Sequence, residues 1–148
     1  MHTQVEHVKH LNSRDAYWQL TVKENHPNLY WTLAGLPWCD APRHVTVGKG
    51  HGRIETRTAQ VLPAPPGVKF PGTQQAFLIE REVRYTNGKH RTTAVVLGIT
   101  NMTSAQAGPR QTLHVNRSHW RIENGLHWIR DVTFVDFAWR CMPMAYRT

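Results

Sequence analysis

The sequence predicts a mixed α/β fold, and three observations carry that expectation. A helix-period segment near the start runs directly into a period-two segment. A block from about Val45 to Thr100 consists of β-type runs, and a long helix-period segment from about Arg110 to Arg130 follows it. With 148 residues and 40% hydrophobic content, the chain suffices for one domain with a modest core.

From Thr3 to about Asn12, Val5, Val8 and Leu11 recur every three residues, while Glu6, His7, Lys9 and His10 fill the other face. This is an amphipathic helix suited to packing on a sheet. Trp18, Leu20 and Val22 then alternate with Tyr17, Gln19, Thr21 and Lys23, the pattern of a strand ended by Asn25-His26-Pro27. Leu29, Leu33 and Leu36 read as a short helix stopped by Gly35 and Pro37. Strand-type runs follow at Val45 to Val47, Ile54 to Leu62, Ala76 to Tyr85 and Arg91 to Ile99, broken by Gly48-Lys49-Gly50 and by Pro63-Ala64-Pro65-Pro66-Gly67. Asn87-Gly88 between the last two runs predicts a hairpin with a type I′ turn, because both residues tolerate positive φ. Thr103-Ser104-Ala105-Gln106 has the form of a capping box, which predicts a helix start there, with Gly108-Pro109 restarting or kinking the helix.

The formal net charge of +8 and the pI near 10.1 favour a polyanionic partner, since lysines and arginines that neutralise phosphates release condensed counterions. The alternative is solvated surface charge. Cys39 and Cys141 stand alone, with no disulfide framework or CxxC metal pair, and the chain opens without an apolar leader, so a cytoplasmic location is expected. No apolar run approaches the roughly 20 residues that span a bilayer, so no membrane partner is expected.

Residues 117 to 134 say most about chemistry. They set the carboxylate of Glu123 among bases and indoles on a helix, with Val115, Ile122, Leu126 and Ile129 as its apolar stripe and His119, Glu123 and Arg130 on an adjoining face. His119-Trp120-Arg121-Ile122-Glu123-Asn124-Gly125-Leu126-His127-Trp128 closely resembles the end of the catalytic domain in bacterial insertion-sequence transposases of the ISAs type, within the DDE superfamily. Three further stretches match in the family's order: Met1-His2-Thr3-Gln4, the run from Leu20 to Tyr30, and Gly50-His51-Gly52-Arg53-Ile54-Glu55-Thr56-Arg57. The likeness covers roughly residues 1 to 134, with His26 where the family usually has Gln, and the sequence after Phe134 reads as unrelated.

The resemblance implies a partial ribonuclease-H-like fold with a β-rich insertion before the helix that carries the last acid. It divides the chain into a helix-and-strand segment at 1–36, the insertion at 37–101, the catalytic-type helix at 102–134 and a divergent tail at 135–148. Such enzymes cut and join DNA with Mg²⁺ or Mn²⁺ held by three carboxylates. Of these, Glu123 alone carries over, as catalytic residue and metal ligand. The two aspartates are expected upstream of Met1, and Asp15, Asp40, Asp131 and Asp136 match neither position. A truncated, inactive transposase fragment that binds no metal by itself is therefore expected, with a non-catalytic DNA-binding or transposase-binding regulatory module as the alternative. An inert gene remnant is a third reading.

The implied partner is DNA at transposon ends, contacted by His51, Arg53, Arg57, Arg117, His119, Arg121 and Arg130; a solvated basic face is the other reading of these residues. For Glu123 that other reading is a surface acid paired with Arg130 or His127. His119, Glu123 and His127 do not make a metal site, because eight residues of helix separate the imidazoles by about 12 Å. Trp120 and Trp128 suit either base stacking or the core. Losing the strands that would flank Tyr17 to Lys23 predicts an open sheet edge and, with it, self-association or association with intact transposase.

Overall fold

A computed structural model of the chain describes residues 2–24, 26–88 and 91–123. Helix α1 spans His2–Ser13, strand β1 Gln19–Val22 and helix α2 Pro27–Ala34, followed by a 3₁₀ turn at Trp38–Asp40. Strands β2 (Arg43–Gly50), β3 (Arg53–Pro63), β4 (Gln75–Tyr85) and β5 (Arg91–Thr100) precede helix α3 (Pro109–Glu123). The strands form one antiparallel sheet in the order β1-β5-β4-β3-β2. β5 pairs with both β4 and β1, so the strands on either side of residue 37 share a sheet.

The α1 spacing places Val8 in the core, with Val5 and Leu11 packed against it. α2 begins with Pro27 at the first helical position, where a missing N–H costs nothing, and ends at Gly35. These helices cover the sheet face that carries Val22, Ala76, Leu78, Val95, Leu97 and Ile99, together with Trp18, Tyr30, Leu33 and Trp38. Buried polar groups here find partners: Trp38 Nε1 donates to the Leu33 carbonyl at 2.8 Å, and Gln60 Nε2 donates to the Trp38 carbonyl at 2.5 Å. On the opposite face Leu113 of α3 packs against Ala59, Val61, Phe77 and Ile79. Gly98 sits on this face between Thr21 and Phe77, and a Cβ there would be driven into the Phe77 ring and the Leu20 carbonyl.

Several local expectations need correction. Gly48-Lys49-Gly50 does not break a strand; it lies inside β2, which pairs with β3 from Arg43↔Gln60 to Gly50↔Arg53. The partner's ladder outweighs the weak β propensity of glycine and lysine. The turn that follows is His51-Gly52, with φ of 51° and 71°, so the two-residue turn with positive φ at both positions occurs here. Asn87-Gly88 does lie between paired strands, but β4 ends at Tyr85 and β5 starts at Arg91, a longer loop in which Gly88 takes φ 74° and Asn87 does not adopt positive φ.

The capping box forms in part: the Thr103 N–H donates to Gln106 Oε1 at 2.9 Å. It closes a single turn, and α3 starts only at Pro109, because Gly108 and the missing Pro109 N–H interrupt the run. The buried side of α3 runs through Thr112, Leu113 and Asn116, while Val115 is only half-buried, so the stripe expected from Val115 is rotated. Leu126 and Ile129 of that stripe lie outside the described residues, as does the Ile122 side chain. β1 and β2 stand at the two ends of the sheet, each with one neighbouring strand among the described residues. No described helix is long and apolar enough to cross a membrane.

Candidate nucleic-acid interface

The alternation of β3 puts Arg53, Glu55 and Arg57 on the face that α3 covers further along at Ala59 and Val61. The pairing Arg57↔Arg81 brings a third arginine from β4 to the same place. Arg57 Nη2 contacts Glu55 Oε1, and Arg81 Nε donates to that same oxygen at 2.6 Å. Glu55 is the deepest of the three, with its side chain 13% exposed against 26% for Arg57 and 33% for Arg81. Arg117, one turn beyond Leu113 on α3, is exposed and close enough to repel Arg57 electrostatically. α3 therefore travels from the apolar half of this face toward its charged half, and Glu123 is its last described residue.

Electrostatics follow from this crowding. Burial pushes the Glu55 carboxyl up, but the Arg81 hydrogen bond and the charges of Arg57, Arg81 and Arg53 outweigh it and hold the group below the ordinary carboxylate range. Burial draws the Arg57 guanidinium down; Glu55 opposes this, and Arg117, Arg81 and Arg53 add to it. Three guanidiniums, those of Arg53, Arg57 and Arg81, thus act on one ionised carboxylate. On the other face burial raises the Glu80 carboxyl, its neighbour Glu82 adds to the rise, and Arg91 and Arg43 only partly offset it.

These two acids give opposite pH dependence. The folded value of Glu55 lies below the unfolded one, so its pairing stabilises above the ordinary carboxylate range and is lost as pH falls through the folded value. The folded value of Glu80 lies above, so its contribution is fully present below the ordinary carboxylate range and is lost as pH rises through the folded value. In melts from about pH 3 to pH 7, Glu55→Gln is expected to flatten the acid limb of Tm against pH, and Glu80→Gln to raise Tm at the neutral end. An unaltered acid limb in Glu55→Gln would contradict the assigned pairing.

Among the described residues, no three histidines, cysteines, aspartates or glutamates converge to hold a metal ion. That part of the chain does not fit a two-ion centre. The side chains of His119, Arg121 and Glu123 lie outside the described residues, as do Arg130 and His127 entirely. Of the sequence-predicted contacts, Arg53, Arg57 and Arg117 converge, and His51 sits in the exposed turn that joins β2 to β3.

Residues 1–141 match the family model of the transposase DDE domain. The chain belongs to that family. Transposase DDE domains bind DNA and normally use divalent metal ions, and the convergent arginines give this transposase domain a surface of the right sign for DNA. Neither a curated protein nor a solved structure matches the chain.

Sequence reasoning missed Arg81 and Glu55 as members of this transposase-domain cluster. The Arg53-x-Glu55-x-Arg57 alternation was a usable signal for Glu55, since period two places all three on one face. Arg81 arrives by a register that the local sequence does not encode.

Proposed function

We propose that this chain is the later part of the catalytic domain of an ISAs-type insertion-sequence transposase, that it holds transposon-end DNA against the arginine-bearing face beside α3, and that Glu123 is its one catalytic, metal-holding carboxylate. The observation that carries the reading is the approach of α3, in which the family motif begins at His119 and which carries Arg117, to the sheet face where Arg53 and Arg57 lie. Phosphate contacts of this kind hold and orient DNA; they do not read its sequence. One carboxylate cannot hold two divalent ions, so Mg²⁺ or Mn²⁺ chemistry requires two further carboxylates beside Glu123. By itself the chain is a DNA-holding piece without cleavage activity, working in the cytoplasm on DNA recombination.

The test is a nicking and strand-transfer assay on DNA carrying the element's ends, with Mg²⁺ or Mn²⁺, run beside a binding measurement. Binding without nicking is expected for the wild type and for Glu123→Ala alike. Nicking that disappears in Glu123→Ala would overturn the inactive reading while keeping the transposase one. Absence of DNA binding at low salt would overturn the DNA-holding role.

A further inference from the structure

Beside Glu55 and Arg53 the edge strand carries no side chain on the arginine face. The β2–β3 register sets Gly48 opposite Glu55 and Gly50 opposite Arg53, on the same face as the arginines, with Thr46 opposite Arg57. A Cβ at Gly48 or Gly50 would meet nothing within 4 Å, so both glycines border open space. Neither has positive φ, so the backbone does not require glycine at either place. The intervening Val47 and Lys49 point to the other face and are exposed.

We propose that Gly48 and Gly50 form the floor, and Arg53, Arg57, Arg81 and Arg117 the wall, of a built seat for the sugar-phosphate backbone of DNA, with Glu55 as the positioning residue that holds the Arg57 and Arg81 guanidiniums in place. The inference deepens the DNA-holding reading and rests on it. Charge complementarity selects the occupant: Arg57 and Arg81 both pair with the single carboxylate of Glu55, and Arg117, Arg81 and Arg53 each repel the Arg57 guanidinium. An anion above the cluster relieves that repulsion. Arg81 engages Glu55 through Nε, and its side chain remains one-third exposed. Bare glycine backbone lets a phosphodiester approach the sheet more closely than any side chain there would allow.

The decisive variant is Gly48→Val, which changes no charge and favours a strand. Binding of the full chain to a fluorescent duplex oligonucleotide, followed across salt, reads the outcome. Gly48→Val is expected to keep the wild-type Tm and to weaken binding about tenfold at 0.1 M salt, the loss of roughly one phosphate contact. Arg81→Gln is expected to lower the salt slope by about one. Arg84→Gln, on the opposite face, should leave both affinity and slope unchanged. Glu55→Gln keeps an acceptor for both arginines and should retain the slope, whereas Glu55→Ala should lower it; equal behaviour of these two would overturn the positioning role. A Gly48→Val protein that melts and binds as the wild type does, together with an unaltered slope in Arg81→Gln, would overturn the seat while leaving DNA binding intact. If Gly48→Val fails to fold, Arg81→Gln decides alone. A wild type that binds no DNA at any salt would overturn the underlying reading as well.

Discussion

Gly98→Ala is expected to destabilise the domain by about 3 kcal/mol, lowering Tm by roughly 10 °C for a chain of this size. The added methyl has no room: it is directed at both the Phe77 ring and the Leu20 carbonyl, one a fully buried aromatic and the other backbone of β1. Neither neighbour can yield cheaply. Phe77 is part of the cluster under Leu113 of α3, so moving its ring disturbs the helix seat, and moving Leu20 detaches β1 from β5. Thermal melts of the variant would check this. A Gly98→Ala protein with wild-type Tm would mean that β5 and β1 do not pack as described. Alanine at Gly48, where nothing lies within 4 Å, is the matched control and should be neutral or slightly stabilising.

Raising salt from about 50 mM to 200 mM is expected to weaken DNA binding on the order of a hundredfold, the loss that roughly four neutralised phosphates produce. Arg53, Arg57 and Arg117, each replaced by glutamine in one triple variant, should flatten this dependence by about three contacts. The effect should be similar for different DNA sequences, because guanidinium contacts to phosphate carry no base information. Fluorescence anisotropy at several salt concentrations measures it. A triple variant with the wild-type slope would place the contact surface elsewhere on the chain.

Legibility of the fold tracked how local its cause was. The Val5, Val8, Leu11 spacing and the Trp18, Leu20, Val22 alternation are consequences of the element itself, and α1 and β1 lie where these patterns put them. The local pattern predicts too short a β2 because Gly48, Lys49 and Gly50 have no intrinsic preference for a strand; they are held extended by pairing with Glu55, Ile54 and Arg53. Asn87-Gly88 is the stronger dipeptide signal for a two-residue turn, yet His51-Gly52 has both positive φ angles. Histidine tolerates that region better than most residues, which makes the pair readable in retrospect. In the site, Arg53, Arg57 and Arg117 were named from a motif. Arg81 was invisible because it is brought in across the loop that joins β3 to β4.

The His51-Gly52 turn also acts at a distance from itself. Its length fixes the phase of β2 against β3, and a strand shifted by one residue presents its other set of side chains. One inserted residue would exchange Thr46, Gly48 and Gly50 for Val45, Val47 and Lys49 along the border of the arginines. Branched and long chains would then stand where the backbone is bare. The count of residues in that turn thereby sets how near a polyanion can come to the guanidiniums.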